Sequence, residues 1–211
     1  MRRGYFITVE GGEGAGKTTQ IDALAATLTE RGREVVITRE PGGTPAAEAV
    51  RDLLSHPAFG GDWSPRAEAL LMFAVRAMHI RDVIAPALAQ EKIVISDRYI
   101  DSTRAYQGYL QGVSRAFIQS LEQEVVGDVV PDLTLILDLP VATAMARVAA
   151  RGAVDHYDRA DQQTHQILRD AFLDIAAQEP ERCVVIDASR EPGAIAQEIA
   201  LIVSAKTGIT G

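Results

Sequence analysis

Apolar positions along the chain follow two different rhythms. Short continuous runs, many β-branched, occupy residues 5–9, 34–38, 92–96, 133–137 and 183–186. Their length and continuity predict strands buried on both faces. Between them the spacing becomes helical. Ile21, Leu24, Ala25 and Leu28 recur at one-turn intervals, with Gly32 as the stop. Residues 67–88 form a long apolar stretch in which Pro86 predicts a break or kink. Ser114 predicts the cap of a helix through Phe117, Leu121 and Val125 to Gly127. Helices are also predicted over about 141–150 and 161–178, and a last one opens at Glu191-Pro192. Strands alternating with helices predict an α/β fold with a mostly parallel sheet. Residues 1–211 read as one domain. Two stretches follow neither rhythm. Residues 55–65 carry paired glycines and Pro57, and residues 151–161 are dense in charge, so a lid is predicted over about 147–161.

Composition narrows the classes. Hydrophobic residues make up 47% and charged residues 24%, which excludes wholesale disorder. No apolar run approaches the roughly 20 residues of a membrane-spanning helix, so no membrane association is expected. Cys183 is the only cysteine, which precludes an intrachain disulfide and fits a reducing, cytoplasmic setting. The balance of 29 acidic to 21 basic residues, net −8, argues against nonspecific nucleic-acid binding. An anionic ligand must therefore meet a local cluster of positive charge.

That cluster has a clear candidate. Gly11-Gly12-Glu13-Gly14-Ala15-Gly16-Lys17-Thr18 fits G-x-x-x-x-G-K-[ST] and lies between a predicted strand and a predicted helix. Its glycines let backbone N–H groups turn inward around phosphate, and the helix N-terminus adds partial positive charge. Lys17 can reach the β and γ phosphates of a nucleoside triphosphate, and the Thr18 hydroxyl can hold Mg²⁺. Many switch proteins, motors and kinases share this motif. The chain has no N/T-K-x-D guanine reader, and the early loop positions where partitioning ATPases carry an extra lysine hold Gly11 and Gly12. Asp97 and Arg98 end the third strand, where a carboxylate can orient Mg²⁺ and an arginine can meet phosphate. Arg39-Glu40-Pro41-Gly42-Gly43-Thr44 ends the second strand and should face the same crevice.

Six segments in order complete a family resemblance. They are GGEGAGKTT at 11–19, TREPGGT at 38–44, LLMFAVRAMH at 70–79, DRYIDSTRAYQG at 97–108, PDLTLILDLP at 131–140 and RG at 151–152. The chain resembles the bacterial thymidylate kinases along nearly its whole length. The resemblance implies a P-loop kinase fold with a five-stranded parallel sheet in order 2-3-1-4-5. It implies Mg²⁺-dependent transfer of the ATP γ-phosphoryl group to dTMP, usually by a homodimer. The implied ATP-phosphate site is Gly11, Gly12, Glu13, Gly14, Ala15, Gly16, Lys17, Thr18, Thr19 and Arg147, with Thr18 and Asp97 toward the metal.

For dTMP, the resemblance implies that Phe73 stacks on thymine while Arg76 donates to a carbonyl. Gln107 and Ser102 complete the base edge. Glu13 accepts from the 3′-OH, and Tyr106 packs beneath the deoxyribose. Arg98, Arg39 and Arg51 face the acceptor phosphate, with Pro41 beside them. Some relatives carry a catalytic arginine in the phosphate loop, but Glu13, Gly14 and Ala15 supply none here. The lid should then deliver it, from Arg151 first and Arg159 second. His156 stands where a lid arginine is usual, and Arg147 braces the lid or contacts adenine. The other readings to separate are another nucleoside or nucleoside-monophosphate kinase and a nucleotide-gated switch protein.

Overall fold

The structure, a computed structural model, describes residues 4–55, 63–151 and 160–208. Five strands, β1 (Tyr5–Glu10), β2 (Val35–Arg39), β3 (Ile93–Asp97), β4 (Leu133–Asp138) and β5 (Cys183–Asp187), form one sheet in the order β2-β3-β1-β4-β5. Every pairing is parallel. The expected architecture and strand order are both present, and each strand lies within one residue of its predicted span. Val9 and Arg39 both pair with Asp97. The carboxyl ends of three adjacent strands, β2, β3 and β1, therefore finish level, at one rim of the sheet.

Helices cover both faces. They are α1 (Lys17–Glu30), α2 (Pro45–Ser55), α3 (Pro65–His79), α4 (Ala85–Ala89), α5 (Ile100–Thr103), α6 (Arg115–Leu121), α7 (Val141–Arg151), α8 (Gln162–Gln178) and α9 (Pro192–Thr207). The sheet's period of two makes its faces unlike. Ile7, Val9, Ile93, Ile95, Leu133, Leu135 and Leu137 form a purely apolar face under Leu24 and Leu28 of α1 and Ile195 and Ile199 of α9. The opposite face carries Phe6 and Val94 beneath Phe73, Tyr99 and Ile100, but also buried Thr8, Glu10, Ser96 and Thr134. Thr8 and Thr134 hydrogen-bond there at 2.7 Å. Polar groups buried on that face need built partners, and these partners become the site.

Pro86 acts as the sequence predicts, through a widened turn. Residues Ile80–Ile84 between α3 and α4 are π-helical. The Ala85 N–H reaches back to the Ile80 carbonyl, which accommodates a ring that cannot donate. The helix capped by Ser114 likewise passes from α6 into a π-helical turn, Glu122–Val126, before Gly127. Two helical segments escape the sequence pattern. One is α2, which starts from a Thr44 cap whose hydroxyl accepts from the Ala47 N–H. The other is α5 with its π-helical extension Arg104–Leu110. The latter buries Asp101, Ser102, Thr103 and Gln107, so no apolar stripe marks it. The predicted irregular stretches lie mostly at 56–62 and 152–159, outside the described residues.

Candidate active site

The phosphate loop joins β1 to α1. Gly11 has φ +135°, and a Cβ there would stand 2.6 Å from the Leu137 carbonyl oxygen. Gly14 has φ +74°, with a Cβ position 2.7 Å from the Ala144 carbonyl. Only glycine fits both the dihedrals and the space. Lys17 opens α1, buried, and donates to the carbonyls of Gly11 and Gly12 at 3.1 and 3.2 Å. Burial, then the Arg98 charge, lowers its pKa, while Glu13, Asp97 and Glu10 oppose the shift. Thr18 and Thr19 are exposed at the same helix end. Arg147 lies outside the loop and donates to the carbonyls of Gly14 and Ala188 at 3.5 and 3.3 Å.

Arg98 links the loop to the helix that follows β3. Its φ of +69° is unusual for a residue with a Cβ. Three bonds hold that turn: Arg98 N–H to the Val9 carbonyl at 3.1 Å, the Ser96 hydroxyl to the Arg98 carbonyl at 2.8 Å, and Tyr99 N–H to Glu10 at 2.7 Å. The guanidinium donates to Glu13 at 2.5 Å, the Gly11 carbonyl at 3.3 Å and Ser102 at 3.2 Å. It also lies 5.1 Å above the Tyr106 ring. Burial opposes its charge, but Glu13, Tyr106, Asp97 and Glu10 hold its pKa above the ordinary value. Tyr106 donates to Glu13 at 2.8 Å. Glu13, Arg98, Ser102 and Tyr106, predicted separately, therefore form one connected group.

A second group lies between α3 and α5. Arg76 is fully buried. Its Nε donates to Glu40 at 2.8 Å, and its Nη2 donates to the Tyr99 carbonyl and to Thr103 at 3.1 Å each. Its Nη1 is buried with no partner. The guanidinium covers the Phe73 ring at 4.8 Å. Glu40 also bonds His79 Nδ1 at 2.9 Å, and His79 Nε2 meets the Thr38 hydroxyl at 2.6 Å. The Glu40-Pro41 peptide bond is cis. Arg51 donates to the Pro41 carbonyl at 3.1 Å. Arg39 pairs with Glu48 at 2.9 Å, with about half its side chain exposed. The side chains of Arg151, His156 and Arg159 lie outside the described residues.

Sequence reasoning missed Glu10, Glu40, Glu68 and His79. Glu10 is a charged residue in an otherwise apolar run, which was a usable signal. It accepts from the N–H groups of Tyr99 and Ser102 and from the Ser102 hydroxyl, at 2.7, 3.3 and 2.6 Å. Burial, and then the like charge of Asp101, push its pKa up to about 7 against the opposing pull of Arg98. Glu68 receives Gln107 Nε2 at 3.0 Å. Only the fold brings these partners together across 39 positions of sequence.

Asp97 and Thr18 fit a magnesium ion. Asp97 Oδ1 is buried without a hydrogen-bond partner, and the Thr18 hydroxyl is exposed. The described residues contain no cluster of three or more His, Cys, Asp or Glu suited to a metal. Mg²⁺ is commonly held by one or two protein oxygens together with substrate phosphates and water, as this sparse set would require.

A parallel sheet in this order, with a lysine-bearing glycine loop between its central strand and first helix, defines a P-loop kinase. Residues 9–199 match the family model described as thymidylate kinase. The chain is 48% identical to a thymidylate kinase of Caulobacter vibrioides over 99% of this chain and all of that one. It is 50% identical to one from Pseudomonas fluorescens, over 93% of each. The crystal structure of thymidylate kinase from Ehrlichia chaffeensis superposes with a TM-score of 0.77 at 38% identity, covering 95% of this chain and 99% of that one. The chain belongs to the thymidylate kinase family, and it is an ATP-dependent nucleoside monophosphate kinase, a phosphotransferase.

Proposed function

We propose that the acceptor is dTMP and that the products are dTDP and ADP. A phosphate oxygen of dTMP attacks the γ-phosphorus of ATP, a new P–O bond forms, and the bond to the β-phosphate oxygen breaks. The observation that carries this reading is the unpartnered Nη1 of Arg76, buried beside Phe73. A buried donor without a partner is costly, and a thymine carbonyl would satisfy it. Phe73 offers the base a stacking face, and Gln107 stands across from it on the neighbouring helix. Tyr106 beneath the sugar favours a 2′-deoxyribose. Glu13 accepts from the 3′-OH in competition with Arg98, which is then released toward the acceptor phosphate together with Arg51 and Arg39.

Lys17 turns from its own loop carbonyls to the β and γ phosphates, and the loop N–H groups bind the same oxygens. Asp97 and Thr18 would hold Mg²⁺, which when bound supplies charge neutralisation between the two polyanions. Arg151 and Arg159 of a lid at 147–161 bring the remaining cation, and Arg147 braces that lid from α7. The chain works as a single domain in a cytoplasmic setting, consistent with a lone buried cysteine and with no helix among the described residues long and apolar enough to cross a membrane. A homodimer packed through α3 would cover Leu70, which is 49% exposed. The test is a coupled assay with ATP and a panel of nucleoside monophosphates. We expect dTMP first, dUMP weaker, and dCMP, dAMP and dGMP far behind. Efficient use of dAMP rejects the assignment of the acceptor.

A further inference from the structure

Hydrogen bonds join the two helices that flank the proposed acceptor group near both ends of their contact. Arg76 of α3 meets Thr103, and Glu68, two turns earlier on α3, meets Gln107, one turn later on the other helix. The helices therefore run in opposite directions, with Phe73 between the contacts. Gln107 is 3% exposed. Its Nε2 donates to Glu68 Oε1 at 3.0 Å. Its Oε1 has no hydrogen-bond partner among the described residues. The other oxygen of Glu68 receives the Gln111 side-chain amide at 2.8 Å.

An ionised carboxylate only accepts, whereas a carboxamide has one accepting and one donating end. Contact with Glu68 thus decides which end of Gln107 is tied down and which end is left for a ligand. We propose that Glu68 is a positioning residue for acceptor choice: by holding the Gln107 amide nitrogen, it presents Oε1 to the base and so selects a base that carries a ring N–H. This rests on the reading of dTMP as acceptor.

The chemistry is complementary at two adjacent positions. Thymine offers a ring N–H beside a carbonyl. Gln107 Oε1 would accept from the first, and Arg76 Nη1 would donate to the second. Cytosine reverses both: its ring nitrogen accepts and its amino group donates. With Gln107 held, cytosine faces an oxygen against a lone pair and a guanidinium against an amino group. If Gln107 could rotate by half a turn, its amide nitrogen would serve cytosine, and only the Arg76 mismatch would remain. Glu68 therefore supplies part of the discrimination without touching the nucleotide.

The test uses the full-length chain and compares kcat/KM for dTMP and dCMP. Glu68→Lys replaces an acceptor by a donor and should turn the Gln107 carbonyl toward it. The dTMP:dCMP ratio should fall roughly tenfold or more, because dTMP loses a hydrogen bond that dCMP gains. Glu68→Gln is nearly isosteric and can present either end. It should give an intermediate fall, and it reads the effect even where charge reversal unfolds the chain. A purely structural role would lower both substrates together and leave the ratio unchanged. A ratio within twofold of the unsubstituted value in Glu68→Gln, and in Glu68→Lys where that folds, overturns the positioning role alone. No preference for dTMP over dCMP in the unsubstituted chain overturns the acceptor reading and this inference with it.

Discussion

Glu10 shows how one side chain couples the fold to proton concentration. It is wholly buried, and the bonds it accepts pin both sides of the Arg98 turn. Its carboxyl titrates near 7 in the folded chain against 4.5 as the reference value. Between those values the folded chain holds a proton that the unfolded chain has released. Unfolding therefore becomes easier as pH rises from about 4.5 to 7 and changes little through this group above that. Glu10→Gln removes the titration while keeping the shape. The slope of unfolding free energy against pH, measured by denaturant titration from pH 5 to 7.5, should become less negative in the variant. Equal slopes in the two chains would show that Glu10 is ionised throughout. His79 and Glu40 work differently. Glu40 holds Arg76 Nε, and His79, itself bonded to Thr38, holds Glu40, while Arg76 Nη1 is buried without a partner.

At the scale of elements, the strand-to-helix turn after β3 carries the most consequence in the fewest residues. Arg98 occupies a left-handed conformation that costs a residue with a Cβ roughly 1–2 kcal/mol. That conformation sends the guanidinium back toward the phosphate loop. Arg98→Gly removes the strain together with the charge, and Arg98→Ala removes the charge and keeps the strain. Both should lose activity by roughly 100-fold or more, but Arg98→Gly should be the more stable by about 1 kcal/mol. Thermal denaturation of the two decides it; an alanine variant as stable as the glycine variant would mean the turn is unstrained. This turn also marks where the sequence stops being readable. The strands are legible as short continuous apolar runs, α1 by its apolar positions at one-turn spacing, and α9 by the Glu191-Pro192 opening. The phosphate loop was legible because its glycines and lysine have few other uses. The helix after Arg98 was not, since it buries Asp101, Ser102, Thr103 and Gln107 for partners that lie far away in sequence. Glu40 and Glu68 were hidden for the same reason, as their roles exist only once α3 faces α5.

Over the whole molecule, charge is divided between a structural network and a catalytic one. Asp101 is fully buried, and Arg182 grips it with two bonds of 2.7 and 2.8 Å. Arg104 joins at 3.2 Å and forks onto Glu122, and both arginines reach Glu179. This cluster ties α5, the turn after α6, the end of α8 and the start of β5. Arg182→Ala would leave buried Asp101 with Arg104 as its one cation and should cost about 2–3 kcal/mol, with kcat near normal below the melting transition. The catalytic side has a different deficit. Among the described residues the arginines and lysines around the phosphate loop include Lys17, Arg98, Arg147 and Arg169, the last lining the cleft beside Gly11, Gly12 and Glu13 while paired to Asp138 at 2.7 and 2.9 Å. Lys17 is held by the Gly11 and Gly12 carbonyls, and Arg98 by Glu13. The loop itself offers Glu13, Gly14 and Ala15 and no arginine, which motivates the proposal that a lid cation meets the charge developing on the transferred group. A cation delivered there is worth roughly 10³–10⁵ in rate. Arg151 ends α7, and Arg159 follows in the segment leading to α8. Arg151→Ala should lower kcat strongly and leave KM for dTMP nearly unchanged, because the contact forms only in the transition state. Arg159→Ala should be milder. Wild-type kcat in both single variants and in the double variant would overturn the lid as the source. A loss of activity in the unsubstituted chain as pH rises through about 6.5 would instead make protonated His156 the donor of charge, and His156→Arg should then abolish that pH dependence while keeping the rate.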